Sequence, residues 1–169
     1  NEATTFSLTN TNSFSASWED VIPGTYNVAV ANTDANNNKF VYTTTPTRSF
    51  SVSRRNVIYV GNTAGSTGYG LTADDPTTWD HVVEILAEGG TVYFTSGTYS
   101  DFYGKTVGNS WTLSAVDGAT VVLDANNKGR IFTVSANNVA INGLTFKNGE
   151  VSNNQGSAIY WTGTGGSII

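Results

Sequence analysis

Cysteine and methionine are both absent from the 169 residues, and histidine occurs once. Without cysteine there is no disulfide framework, no thiolate metal site and no thiol nucleophile. A single histidine excludes a multi-histidine metal centre. Charge is scarce as well. Only 12% of residues are charged, against about 25% in an ordinary soluble domain. Eight Lys and Arg stand against thirteen Asp and Glu, a net charge of −5. Such a chain is not built to grip nucleic acid or an anionic membrane. No run of 18 apolar residues occurs, so no membrane-spanning helix is expected. No Asn-x-Ser/Thr acceptor occurs despite 19 Asn. The chain begins at Asn1 without a basic-plus-apolar leader and ends at Gly165-Gly166-Ser167-Ile168-Ile169. The expectation is a piece of a longer exported protein, and the lack of oxidisable sulfur fits an extracellular setting.

Hydroxyl and amide side chains replace the missing charges. There are 25 Thr, 16 Ser and 19 Asn. These residues compete for backbone hydrogen bonds and disfavour helix interiors, whereas Thr favours strands. An all-β chain is therefore expected. Residues 1–53 read as short strands at 4–9, 13–18, 25–31, 39–44 and 48–53, separated by Asn-, Asp- and Pro-Gly-rich turns. Alternation is clear in Tyr26, Val28 and Val30 and again in Phe50 and Val52. That pattern suggests part of a β-sandwich.

The pattern changes after Arg54-Arg55, which divides the chain into 1–53 and 54–169. Asn56–Val60 reads as a strand and the glycine-rich stretch 61–70 as a loop. A helix is expected over 76–88, with Asp75 as N-cap and Pro76 at the first helical position. Its apolar stripe is Trp79, Val82, Val83 and Leu86, and Gly89-Gly90 should end it. Thr91–Phe94 follows as a strand. Beyond residue 105 the sequence repeats. Asn126-Asn127-Lys128-Gly129 lies over Asn153-Asn154-Gln155-Gly156 at an offset of 27. In that register Phe132 lies over Ile159, Val134 over Trp161 and Ile141 over Ile168. An earlier copy, offset by 28, sets Trp111, Leu113 and Val116 over Val139, Ile141 and Leu144. Each unit has three short strands with Asn, Gly or Asp corners. A unit of that size cannot bury its own apolar face, but stacked units can, as in a parallel β-helix. Asn at the corners suits left-handed backbone and can stack as ladders.

Two resemblances accompany this reading. Val21-Ile-Pro-Gly-Thr-Tyr-Asn-Val-Ala-Val30 with Thr47-Arg-Ser-Phe-Ser-Val52 resembles the last strands of immunoglobulin-like repeats of prokaryotic surface proteins. The segment from Asn56-Val-Ile-Tyr-Val60 through Gly89-Gly-Thr-Val-Tyr-Phe-Thr-Ser-Gly-Thr-Tyr99 resembles the N-terminal cap of right-handed β-helix proteins of the pectate-lyase-like superfamily. Val139-Ala-Ile-Asn-Gly-Leu-Thr-Phe-Lys-Asn-Gly149 and Gly156-Ser-Ala-Ile-Tyr160 resemble repeats of methanogen adhesin-like proteins. Those proteins commonly read Gly-Gly-Ala-Ile-Tyr; here Ser157 replaces the second Gly. The implied architecture is a partial immunoglobulin-like β-sandwich over 1–53. The cap, with a short capping helix near 76–88, and about three coils of a right-handed parallel β-helix follow over 54–169. The implied role is a non-catalytic surface segment for adhesion or contact with polysaccharide or another cell. The alternative is the N-terminal part of a secreted polysaccharide lyase or hydrolase, with its active site beyond residue 169.

A lyase needs clustered carboxylates for calcium and a base; a hydrolase needs paired carboxylates. Asp117, Asp124 and Glu150 do not recur at the coil period, so no catalytic residue is assigned. Lys105, Lys128, Arg130 and Lys147 fall among corners and strand ends. Asp74 and Asp75 are the candidates for a Ca2+ site, with turn and cap roles as the simpler reading, and no cofactor is expected. His81 reads as a surface residue. Tyr99, Tyr103 and Tyr160 are the candidates for stacking on sugar rings. The register puts Trp161 inward and Tyr160 outward.

Overall fold

The computed structural model describes residues 22–28, 31–33, 39–41, 48–62, 68–152 and 155–169. In the first part of the chain lie β1 (Gly24–Val28), β2 (Ala31–Thr33), β3 (Lys39–Val41) and β4 (Arg48–Val52). β1 pairs antiparallel with β4, and β2 with β3. Tyr26 stacks on Phe50 across the first ladder, with centroids 5.5 Å apart. The strands expected at 4–9 and 13–18 lie outside the described residues.

From residue 55 the chain is a β-solenoid of about four turns. It opens with β5 (Arg55–Val60), a loop, the short helix α1 (Trp79–Ile85) and β6 (Leu86–Phe94). Then come β7 (Gly97–Ser100), β8 (Lys105–Val107), β9 (Thr112–Ala115), β10 (Val121–Asp124) and β11 (Phe132–Val134). β12 (Ala140–Asn142), β13 (Leu144–Lys147), β14 (Ile159–Trp161) and β15 (Ser167–Ile168) complete it. From β6 on, every third strand joins the same sheet, and β5 adds to the sheet of β6. The three sheets run β5-β6-β9-β12-β15, β7-β10-β13 and β8-β11-β14, all with parallel pairing.

The apolar residues alternate along each strand, and the inward ones stack into columns. Val92, Leu113 and Ile141 form one, closed by Ile168. Val107, Val134 and Trp161 form another. Val92, Leu113, Val107 and Val134 are fully buried. No short strand could hide its apolar face alone; the stack does it, at roughly 1.5–3 kcal/mol per buried aliphatic side chain.

The 27-residue register is realised. Phe132 pairs with Ile159, Val134 with Trp161 and Ile141 with Ile168. Leu113 pairs with Ile141. Val116 does not lie over Leu144: Leu144 pairs with Val121 instead. The corner after β9 takes residues 116–120, whereas the corner after β12 is Gly143 alone, at φ 66. Corner length varies from coil to coil, so a gapless repeat follows two faces and loses the third.

The helix differs from the expectation at both ends. It starts at Thr78, which caps without a side-chain bond. The Asp75 carboxylate accepts instead from the Tyr69 backbone N–H at 3.1 Å and closes the preceding loop. Thr77 is held extended against β5, donating to Tyr59 O while its own carbonyl accepts from Gly61 N. Pairing with β5 therefore overrides the cap signal of Asp75-Pro76. At the other end the chain enters β6 at Leu86, and Gly89-Gly90 lie within that strand. Trp79 and Val82 are the buried helix residues; Val83 is half exposed. Trp79 stacks on Phe94 and meets Phe102, Trp111 and Phe132 at 5.4–6.5 Å between centroids. α1 thus covers the first coil through Trp79. Among the described residues no helix is long and apolar enough to cross a membrane.

Candidate functional site

The corner joining the second sheet to the third is the most heavily functionalised part of the solenoid. Its described residues are 101–104, 125–131, 148–152 and 155–158. Asp101, Asn126, Asn127 and Asn148 adopt φ of 50–58° there. Asp and Asn tolerate this left-handed backbone because their short polar side chains bond locally. The Asn126 amide donates to Asp101 Oδ1 at 2.7 Å, and the Asn148 amide donates to Asp124 Oδ1 at 2.9 Å. Asp124 Oδ1 also accepts from its neighbour's backbone, Asn126 N, at 2.8 Å. The two side-chain amide bonds link consecutive coils.

All four Lys and Arg residues beyond residue 56 border this one corner. Lys128 pairs with Asp101 at 2.8 Å, Lys147 with Asp124 at 3.7 Å, and Lys105 with Asp80 of α1 at 3.2 Å. The Asn126 backbone N–H is the main cause that holds the Asp124 carboxyl below the usual range, helped by Asn148 and Lys147. The Lys128 and Asn126 side chains do the same for Asp101. Carboxylates held ionised in this way are locks for the corner, not proton donors near neutrality. Arg130 has a different environment. Its Nε donates to Gly156 O at 2.8 Å and its Nη2 to Gln155 O at 2.7 Å, both in the next coil. Its guanidinium lies 4.8 Å from the Tyr160 ring centroid.

The three tyrosines separate. Tyr99 sits in the column of Leu123 and is 4% exposed. Its hydroxyl donates to Val60 O (2.7 Å) or Thr95 O (2.9 Å), and burial pushes the phenol up to about 12. Its ring has no face to offer a sugar. Tyr103 and Tyr160 are 41% and 37% exposed, and both border the cationic corner. Tyr103 lies against Gly129, where an added Cβ would stand 3.2 Å from its Cδ2. Trp161 is half-buried in the inward column and Tyr160 points outward, as the register requires.

Asp74 is exposed on its turn, and Asp75 is engaged with Tyr69. Among the described residues, no three His, Cys, Asp or Glu side chains gather as a metal-binding group. His81 is exposed, with Nδ1 2.7 Å from Thr77 Oγ1. A groove of about 360 Å3 runs between α1 and the edge of β8, with Val83, Lys105 and Trp111 in its walls. The sequence reading missed the gathering of the cations. The signal was available: each lies within or beside the segment between the second and third strands of its unit. Comparisons with protein-family models, with curated proteins and with solved structures find no match.

Proposed function

We propose that this chain is a non-catalytic, adhesin-like structural segment. In this reading it is a right-handed β-helix, exported to the cell surface, that holds flat faces out to carbohydrate or to another cell. The handedness follows the near-universal right-handed crossover between parallel strands. The observation that carries the reading is the use of the corner charges. Lys128, Lys147, Asp101 and Asp124 are engaged in ion pairs and amide bonds between or beside coils. Such side chains stiffen a stack and do not form an acid–base pair. Outward positions instead make in-register columns such as Thr106, Thr133 and Tyr160, a surface suited to extended contact. Low charge and abundant hydroxyl and amide groups support an extracellular setting.

The test has two arms run on one preparation. The first reads retention of the protein on immobilised polysaccharides and on intact cells. The second reads ultraviolet absorbance of unsaturated sugars and new reducing ends from pectate, alginate and chondroitin in millimolar calcium. Retention without products is the expected result. Sustained turnover abolished by a chelator would replace this reading with a polysaccharide lyase.

A further inference from the structure

We infer that Arg130, bracketed by Tyr103 and Tyr160, is the contact point for an anionic glycan, with a carboxylate or sulfate of the sugar set on the free edge of the guanidinium. The inference rests on the carbohydrate-contact reading above and adds the charge class of the ligand. Lys105, Lys128 and Lys147 each face a carboxylate within 4 Å. Among the described residues Arg130 alone of the corner cations bonds neutral carbonyls and makes no ion pair. Two of its nitrogens are fixed by Gly156 O and Gln155 O, and Nη1 makes no hydrogen bond among the described residues. The fork is therefore pre-organised and retains donors for an anion.

The flanking rings supply the sugar chemistry. Tyr103 stands one coil before Arg130 and Tyr160 one coil after, so their backbones are about 10 Å apart along the axis, two strand spacings, and both rings lean toward the middle coil, Tyr103 against Gly129 and Tyr160 against Arg130. Both keep more than a third of their surface in solvent. Aromatic faces and edges stack on the apolar faces of pyranose rings, while the arginine between them reads the charge. Glu150 sets a sign to the prediction. Its backbone N–H donates to Gly129 O at 3.1 Å, which places this exposed residue beside the same corner, where a negative charge disfavours an anion.

The test uses the whole chain and three oligosaccharides of equal length: a neutral glucan, a polyuronate and a sulfated glycan. Affinity is read by titration calorimetry at low and high salt. Expected is selective binding of one or both acidic oligosaccharides, weakened by salt. Arg130→Gln should lower that affinity at least about tenfold, Tyr103→Ala several-fold, and Glu150→Gln should raise it. Thermal melting of each variant separates loss of contact from loss of fold. Because Arg130 also ties two coils, the gain in Glu150→Gln and the loss in Tyr103→Ala carry the test if Arg130→Gln unfolds. Equal binding of the neutral glucan, or acidic binding indifferent to salt, Glu150 and Tyr103, overturns the inference and leaves the carbohydrate-contact reading in place. Binding to none of the three sugars overturns the inference and, together with no retention on immobilised polysaccharides or intact cells, the contact reading as well.

Discussion

Asp124 shows how one side chain sets a corner. It ends β10, is 6% exposed, and still carries a charge, because Asn126 N, the Asn148 amide and Lys147 surround it. Its folded pKa lies below the ordinary value of 3.8. A depressed carboxylate adds stability that is complete above the ordinary value and is lost as pH falls through the folded one. Acid unfolding below about pH 4 should therefore be steeper in the native protein than in Asp124→Asn. Melting temperatures across that range check it; parallel acid limbs would count against the lock. Gly143 is a second single-residue control. At φ 66 it makes the whole corner between β12 and β13, and an added Cβ would have room, 3.5 Å from Ala115 Cβ. The cost of Gly143→Ala should then be backbone strain alone, about 1–2 kcal/mol. Val134 is the contrasting case. It is fully buried between Val107 and Trp161. Val134→Asp strands a carboxylate between coils and should cost several kcal/mol, whereas Thr133→Asp, facing outward, should cost far less. Denaturant titration of the two variants separates them.

At the scale of elements, α1 is two turns long, and its hold on the solenoid comes from Trp79. That ring touches aromatic residues of the first coil and reaches Phe132 in the second. Trp79→Ala should cost about 3–5 kcal/mol, the usual range for truncating a buried aromatic. A shift in unfolding midpoint no larger than that of Val83→Ala, at the exposed position, would contradict the packing. The same element shows where reading from sequence succeeds and stops. The apolar stripe identified the helix and the burial of Trp79. The cap signal at Asp75-Pro76 misplaced its start, because backbone pairing of Thr77 with β5 is a long-range contact that local spacing does not carry. The strands of the repeats were legible from alternation, and the inward columns from the 27-residue offset. The third face was not, since Gly143 replaces a five-residue corner. Asn126 and Asn148 were readable as corner residues from their type. The gathering of Lys105, Lys128, Arg130 and Lys147 needed the topology, because they are separated by up to 42 positions in sequence.

For the whole molecule the governing fact is that every solenoid strand is parallel to its neighbour one coil away. β10 and β11 are hydrogen-bonded on both sides, while among the described residues β15 pairs with β12 alone and leaves Ile168 58% exposed. Amide exchange should accordingly be slowest in β10 and β11 and fastest in β15. The most direct measurement of the stack uses the absence of native cysteine. Thr133 and Tyr160 are in register, outward and on adjacent parallel strands. Their Cα atoms should lie about 4.8 Å apart, within disulfide reach of about 4.4–6.8 Å. Thr133→Cys with Tyr160→Cys should cross-link on mild oxidation in the folded protein. Thr133→Cys with Thr162→Cys, two residues out of register, should not. Efficient cross-linking of the second pair with failure of the first would contradict the parallel 27-residue stack.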